Sequence, residues 1–185
     1  MRIRNDSEHW GAVSLALHWL TFVLIIGLAI VGLVMTELPN SPLKISVYAW
    51  HKSFGLTVLG LTLLRLGWRL IGPVPAPVPM PAWQRWAAAG TQGVMYVLLL
   101  AIPLSGWLYN SAAGFPLKWF GLFSLPKLSG YNPDLKHFAE ETHETLFYLL
   151  ALVILIHAAA ALKHHYLDRD PTLRRMLAWR SKPRT

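Results

Sequence analysis

The chain has 185 residues, of which 54% are hydrophobic and only 14% are charged. Soluble domains usually carry about 25% charged residues, so this composition excludes a disordered chain and argues against a soluble one. The formal charge of +8 would favour a nucleic-acid partner only in a soluble protein. Because the chain contains no Cys, disulfides, Cys-ligated zinc, iron–sulfur clusters and thiol nucleophiles are excluded, and the 8 His residues are the leading candidates for chemistry.

Four apolar segments are long enough to cross a membrane, which takes about 20 residues. The first predicted span, 13–35, contains no charged residue. A signal peptide is the competing interpretation, but its apolar region would cover only about 7–15 residues. The other predicted spans are 47–70, 87–109 and 142–162, and a Pro inside the third predicts a kink. We therefore predict an all-α, four-helix transmembrane bundle that forms one membrane domain, 1–185, with a basic tail over 163–185.

The distribution of charge predicts the orientation of these spans. Four spans place both termini and the Pro-rich loop on one side, which holds a formal charge of +8, whereas the opposite side has a net charge of 0. Since Lys and Arg are enriched in cytoplasmic loops, we expect both termini to be cytoplasmic. The basic residues from 174 to 184 are expected to lie on anionic membrane lipids. The net charge then reports topology, and no nucleic-acid partner is needed to explain it.

Four His residues lie at membrane depth, where an ionisable side chain is costly and indicates function. His143 and His157 are 14 residues apart in the fourth span, so they project from nearly one face and lie roughly 21 Å apart along the axis. They cannot share one metal ion, and each needs a partner at its own depth. The predicted topology pairs His51 with His143 on the outer side. It pairs His18 with His157 on the cytoplasmic side.

Two His pairs at two depths are the arrangement expected for two six-coordinate haems stacked across a membrane. Gly11 and Gly55 would let a flat macrocycle approach the backbone near two of the ligands. One alternative is that each His is a hydrogen-bonded residue of the bundle. A zinc site is less favoured, because it would need three ligands at one depth and no three of these His share a depth. The predicted axial ligands of the haem iron are His18, His51, His143 and His157. Since Cys-x-x-Cys-His cannot be made, the cofactors would be two non-covalent haem b groups.

Several segments resemble the bacterial cytochrome b561 family of di-haem membrane cytochromes, of the superoxide oxidase type. They are SLALHWL around His18, AWHKSFG around His51, THETLFYLLALVILIHAAAALKHHY at 142–166, and DPTLRRM in the tail. The resemblance implies the same four haem ligands, a bacterial inner-membrane location and ubiquinone as electron acceptor. It also implies reaction with superoxide at the periplasmic face. We therefore expect an oxidoreductase that transfers electrons from periplasmic superoxide to ubiquinone, with no catalytic acid or base at the donor.

The sequence departs from this family at two positions that bear on the substrate. The start of the third span, AAAGTQGVMY, has no His where superoxide oxidase has polar His, and Gln92 is the comparable group. Lys52 follows the outer ligand where an apolar residue is usual. One alternative function is therefore a non-enzymatic cytochrome b subunit that passes electrons for another redox protein. A haem-free membrane scaffold is a further alternative.

The cytoplasmic end of the bundle holds the candidate quinone contact. His164 lies seven residues beyond His157, on the same face and roughly 10 Å nearer the cytoplasm. An imidazole can give a quinone both a hydrogen bond and a proton, although an interfacial His among headgroups would look the same in the sequence. Arg65 and Arg69 lie one turn apart at the same end of the second span. They could pair with haem propionates or a quinone headgroup, or anchor the helix by snorkelling.

The outer side carries cationic groups that could attract superoxide or another anionic one-electron donor: Lys52, Lys118, Lys127, Lys136 and His137. Because this side has no net formal charge, such attraction requires clustering near the outer His pair. The loop over 110–141 is long for a four-helix protein, and we expect it to cap the outer haem. The 9 Trp residues lie mostly near span ends, as in interfacial aromatic belts, and no chemistry is assigned to them.

Overall fold

The computed structural model describes residues 3–177 of the chain. Its elements are four long helices, a two-stranded antiparallel hairpin and a short last helix: α1 (Ala12–Glu37), α2 (Pro42–Ile71), α3 (Ala82–Ala112), β1 (Leu117–Trp119), β2 (Phe123–Leu125), α4 (Pro133–Tyr166) and α5 (Thr172–Leu177). Each of α1 to α4 is long and apolar enough to cross a membrane. The helical fold with four transmembrane segments is therefore confirmed, and each predicted span lies within one helix.

The helices extend beyond the predicted spans because their start signals lie outside the apolar segments. The side chain of Ser41 accepts a hydrogen bond from the backbone N–H of Lys44 at 3.3 Å and so caps α2. Asn132 caps α4 in the same way, accepting from the N–H of Leu135 at 3.0 Å. A Pro follows each cap, at a position where its missing N–H costs nothing. Hence α4 begins at 133 instead of 142.

The centre of the bundle is a small apolar core. Val58, Leu98, Leu99 and Leu150 are buried there. The largest helix interfaces are those between α3 and α4 and between α1 and α2. Many large apolar side chains elsewhere on these helices are exposed, including Val23 at 63% and Leu155 at 68%. In a chain with four membrane-crossing helices, such side chains contact lipid.

Both described ends of the chain lie at one end of the bundle, which we call the terminal side. There Asn5 accepts hydrogen bonds from the N–H of Gly11 (2.8 Å) and from Ser14 Oγ (2.7 Å) and donates to the carbonyl of Pro73 (3.0 Å). From α5, the carbonyl of Met176 accepts a hydrogen bond from Trp19 Nε1 at 2.9 Å. We call this contact set, formed by residues 3–19, 73–76 and α5, the terminal clasp. Basic residues were predicted to contact anionic lipid and to mark the cytoplasmic side. Four of them lie outside the described residues: Arg2, Arg180, Lys182 and Arg184.

The opposite end, the hairpin side, carries the loop that was expected to cap the outer pair. Its strands form a tight turn at Phe120 and Gly121, both with positive φ (46° and 75°). The backbone N–H of Phe120 donates to Ser53 Oγ at 3.0 Å, and Trp119 Nε1 donates to Thr57 Oγ1 at 3.1 Å. Thr57 lies six residues further into α2 than His51. The hairpin therefore packs along the side of α2, from near the depth of the predicted outer ligand His51 to about two turns further along the helix.

A candidate cofactor site formed by two histidine pairs

His51 of α2 and His143 of α4 lie opposite each other in the hairpin-side half of the bundle. Their ring centroids are 6.3 Å apart, with an angle of 72° between the ring planes. A metal–imidazole bond is about 2 Å long, so one metal ion between two axial imidazoles separates their centroids by roughly 6 Å. The structure brings these two predicted partners together at that spacing.

The ring of His143 is oriented by hydrogen bonds to α3. Its Nδ1 lies 2.9 Å from the carbonyl oxygen of Ile102 and 3.1 Å from Ser105 Oγ. A carbonyl oxygen can only accept, so Nδ1 carries the proton and donates it. Nε2 is then the nitrogen left to bind a metal ion, and the contact with Ile102 holds the ring in that tautomer.

Two glycines lie directly against these rings. A Cβ on Gly32 of α1 would lie 3.3 Å from His51 Cε1, and one on Gly106 of α3 would lie 3.1 and 3.2 Å from Cε1 and Nδ1 of His143. Both distances are tighter than ordinary van der Waals contact. Gly32 and Gly106 therefore let neighbouring helices approach the rings.

Gly11 and Gly55 were predicted to let a flat macrocycle approach the backbone near His18 and His51. A Cβ on Gly11 would lie only 2.5 Å from the carbonyl oxygen of Ile3, so Gly11 is needed for the packing of the N-terminal segment. Gly55 has open space around it. Gly32 and Gly106 could have been found as Gly residues inside an apolar helix at the depth of a His. This pattern identifies them only when it is known which helices pack against the His rings.

An apolar cavity adjoins His51. It has a volume of about 430 Å³ and lies between α1 and α2, lined by Val23, Leu24, Gly27, Leu28, Val31, Val47, Trp50, His51 and Phe54. His51 Nδ1 is buried and has no hydrogen-bond partner among residues 3–177, and such an atom costs about 1–3 kcal/mol. Facing imidazoles, close-packed glycines and an apolar cavity fit a flat, apolar, metal-bearing cofactor.

The second pair, His18 of α1 and His157 of α4, lies in the terminal-side half in charged surroundings. Arg65 of α2 is near enough to both rings to interact with them electrostatically, and the two rings interact with each other. The guanidinium carbon of Arg65 lies 5.8 Å from the ring centroid of Tyr96. The structure thus brings this predicted pair together with a cation that could pair with an anionic group bound beside it.

Arg69 and Gln92 also meet on the terminal side. Arg69 Nη1 donates to Gln92 Oε1 at 3.3 Å, so the polar side chain at the start of the third span contacts a predicted site residue. Both Arg69 and Arg65 contact side chains of α3. Both Arg side chains are partly buried, and these contacts between helices favour a cofactor or substrate contact over a lipid anchor.

His164, at the end of α4, contacts two carboxylates that the sequence analysis did not connect with it. Its Nδ1 lies 2.7 Å from Asp170 Oδ2 and 3.1 Å from Asp168 Oδ2. The side chain of His164 is only 14% exposed, unlike a solvated headgroup-zone residue. The only sequence signal for this contact was the pair of acids shortly after the helix. That signal does not show that the chain turns back toward His164 after the helix ends.

Lys52 is the predicted outer cation that neighbours the hairpin-side pair. Its Nζ donates to the side-chain oxygen of the buried Asn110 at 3.0 Å, and no carboxylate lies within 4 Å of it in the described part of the chain. Lys136 and His137 instead pair with acids one turn along α4, at 3.9 and 3.7 Å. The remaining two cations, Lys118 and Lys127, belong to the hairpin loop.

A family profile and several known proteins match most of this chain. A family profile described as prokaryotic cytochrome b561 matches residues 9–179. Cytochrome b561 homolog 2 of Escherichia coli (strain K12) is 34% identical over 96% of this chain and 95% of its own length. Cytochrome b561 homolog 1 of the same strain is 32% identical over 92% and 97%. A Yersinia pestis protein named "Probable superoxide oxidase CybB" is 30% identical over 92% and 96%.

Proposed function

Since this chain belongs to the prokaryotic cytochrome b561 family, whose members are membrane cytochromes with b-type haem, we propose that it binds two haems. We propose further that it transfers single electrons from superoxide to ubiquinone. The observation that carries the proposal is the facing pair His51 and His143, with centroids 6.3 Å apart. The name of the Yersinia pestis relative supports superoxide as the donor.

The proposed axial ligands are His51 with His143 on the hairpin side and His18 with His157 on the terminal side. When bound, haem iron takes up and releases one electron at a time. The chain contributes the ligand nitrogens, fixes the tautomer of His143 through Ile102 and keeps water away with apolar side chains. Arg65 would pair with haem propionates, and Arg69, four residues nearer the terminal end of α2, would contact a quinone headgroup.

The proposed topology places the terminal side in the cytoplasm of a bacterium and the hairpin side in the periplasm. Both described ends of the chain and the Pro-rich loop lie on one side, which carries the formal charge of +8. This matches the enrichment of Lys and Arg in cytoplasmic loops. The whole chain, 1–185, would then be one membrane domain surrounded by inner-membrane lipids.

The proposed donor enters beside Lys52. One-electron oxidation of superoxide to O₂ transfers no proton, so the chain needs no acid or base on this side. It needs a positive charge that raises the local concentration of an anion. The ammonium of Lys52, held by the neutral oxygen of Asn110 at 3.0 Å, is not neutralised by any carboxylate of residues 3–177 and meets this requirement.

The test supplies the purified protein with an enzymatic superoxide source and a short-chain ubiquinone, and measures quinol formation. We expect a rate above the uncatalysed background that superoxide dismutase abolishes. A reduced-minus-oxidised spectrum should show b-type bands. A haem-loaded protein with no such rate would refute superoxide as the donor, and a co-purifying redox protein would then favour the electron-transfer subunit.

The role of Lys52 is tested with Lys52→Met. Since charge steering changes association rates by about 10–10³-fold overall, we expect the rate per superoxide to fall several-fold at low salt and the loss to shrink at high salt. Lys127→Gln is the matched control, because it removes one exposed hairpin-side cation, whose ammonium contacts the backbone carbonyl of Gly114 at 3.2 Å. Equal effects of the two variants would show that only the general surface charge matters.

A further inference from the structure

The chain reverses direction after α4 and returns two acidic side chains to its last turn. The backbone N–H groups of Leu167 and Asp168 donate to the carbonyl of Lys163 at 2.8 and 3.1 Å, and that of Asp170 donates to the carbonyl of His164 at 3.0 Å. Arg169 takes a positive φ of 55°, which produces the reversal. These bonds satisfy the last carbonyls of the helix and fix the position of the turn.

His164 Nδ1 lies between the two carboxylates, but they are not equivalent. Asp168 Oδ2 is 3.1 Å away and also accepts a bond of 2.6 Å from the ammonium of Lys163. Asp170 Oδ2 is 2.7 Å away, and its other oxygen accepts from the N–H of Thr172 at 2.8 Å. Asp170 is also less exposed, at 15% against 34% for Asp168. Asp170 is thus oriented through both oxygens and makes the shorter contact.

This contact determines which ring nitrogen exchanges protons. Ionised carboxylates only accept hydrogen bonds, so Nδ1 of His164 keeps its proton. Nε2 is left to lose and regain a proton.

A metal ion is a weaker explanation of the same cluster. His164, Asp168 and Asp170 place one ligand atom each within 4.8 Å of one another. However, the ammonium of Lys163 already lies 2.6 Å from Asp168 Oδ2, and this positive charge opposes a second cation there.

We propose that Asp170 is a positioning residue that holds His164 with Nε2–H directed to a carbonyl oxygen of a bound quinone. This inference rests on the proposed quinone reduction. Each quinone takes up two electrons and two protons, and two superoxide ions that become two O₂ supply the electrons. The Nε2–H bond breaks as an O–H bond forms on the quinone, and Nε2 regains a proton from water on the terminal side before the second transfer.

The test variant is Asp170→Asn. Asn keeps an oxygen for the N–H of Thr172 but presents an NH₂ group to Nδ1, so the ring must change tautomer. General acid–base groups contribute about 10²–10⁴-fold, and we expect kcat for quinone reduction to fall about tenfold or more with KM within twofold. Electron delivery to ferricyanide, which takes up no proton, should be unchanged. Asp170→Glu should restore part of kcat.

The matched control is Glu8→Gln, which removes one exposed carboxylate from the same side and should leave all rates unchanged. A second readout does not depend on activity: in ¹⁵N-histidine NMR, the ring assigned by its loss in His164→Gln should be protonated at Nδ1, and this signature should disappear in Asp170→Asn.

An unprotonated Nδ1 in the unmodified protein would overturn the proposal, as would an unchanged kcat in Asp170→Asn or a loss confined to KM. If the unmodified protein reduces ferricyanide but not quinone, the proposed function fails. The NMR signature would then still decide whether Asp170 positions His164.

Discussion

The two histidine pairs have contrasting surroundings. On the hairpin side, Gly32 and Gly106 lie against the rings and Ile102 fixes one tautomer. On the terminal side, Arg65 interacts electrostatically with both rings, and His164, which contacts two carboxylates, lies further along α4. One pair is held by close packing, and the other is surrounded by groups that carry charge.

This difference corresponds to two chemical tasks. A site that only accepts electrons needs dry, rigid ligation, whereas a site where electrons and protons leave together needs ionisable groups in contact with water. The packed site and the charged site therefore support electron entry on the hairpin side and quinone reduction on the terminal side. They also allow each site to be altered without the other.

Removing one ligand should have the largest effect. We expect His143→Ala to lose about half of the bound haem, because the hairpin-side pair cannot form, and His157→Ala to lose the other half. The measurement is the haem-to-protein ratio from a pyridine haemochrome assay. His137→Ala, an exposed His on the same helix, should retain all the haem. Full haem content in His143→Ala would show that the pairing is wrong.

Filling the packed site should have an intermediate effect. In Gly106→Ala, the new Cβ lies 3.1 Å from a ring that Ile102 and Ser105 hold in place, so we expect reduced occupancy or a shifted reduction potential of the hairpin-side haem. Gly93→Ala on the same helix has open space and should stabilise the protein by about 0.5–1 kcal/mol through helix propensity. Redox titration should distinguish the Gly106→Ala variant from the Gly93→Ala variant. Identical titration curves for the two variants would contradict a tight contact at His143.

Acidification should give the smallest effect, confined to the terminal side. Partial burial opposes ionisation of Asp170, but hydrogen bonds from Thr172 and the contact with His164 outweigh it and lower the pKa of Asp170 below its usual 3.8. The ionised contact therefore contributes stability above pH 3.8, and this contribution is lost as the pH falls through the lowered pKa.

We accordingly expect Asp170→Asn to lower Tm by about 2–4 °C at neutral pH, if the contact contributes about 1 kcal/mol. The difference from the unmodified protein should shrink below pH 3.8. Thermal unfolding followed by circular dichroism at several pH values would measure it. A difference that does not change with pH would mean that the carboxylate charge contributes nothing.

The four helices and the facing His residues could be predicted because they depend on local properties. Apolar length sets the spans, and the helical repeat places His143 and His157 on one face. Partner choice followed from depth alone, since His51 and His18 occupy opposite ends of their spans. These inferences require no knowledge of which helices pack together.

Gly106, Asp170 and the hairpin could not be predicted, because each depends on a contact between distant segments or on an unusual backbone angle. Gly106 is significant only when α3 is known to pack on α4. Asp170 reaches His164 only because Arg169 adopts a positive φ. The hairpin has three-residue strands and a Phe at positive φ, neither of which the sequence pattern signals.

The terminal clasp has a consequence for biosynthesis. The indole of Trp19, in α1, bonds to the carbonyl of Met176, 157 residues later. Arg175 likewise bonds to Ala76 across 99 residues. The helices can enter the membrane in order, but this face cannot close until α5 has been synthesised. A nascent chain halted after its fourth helix would expose the polar groups of that face, and quality-control proteases would have access to an unfinished cytochrome there.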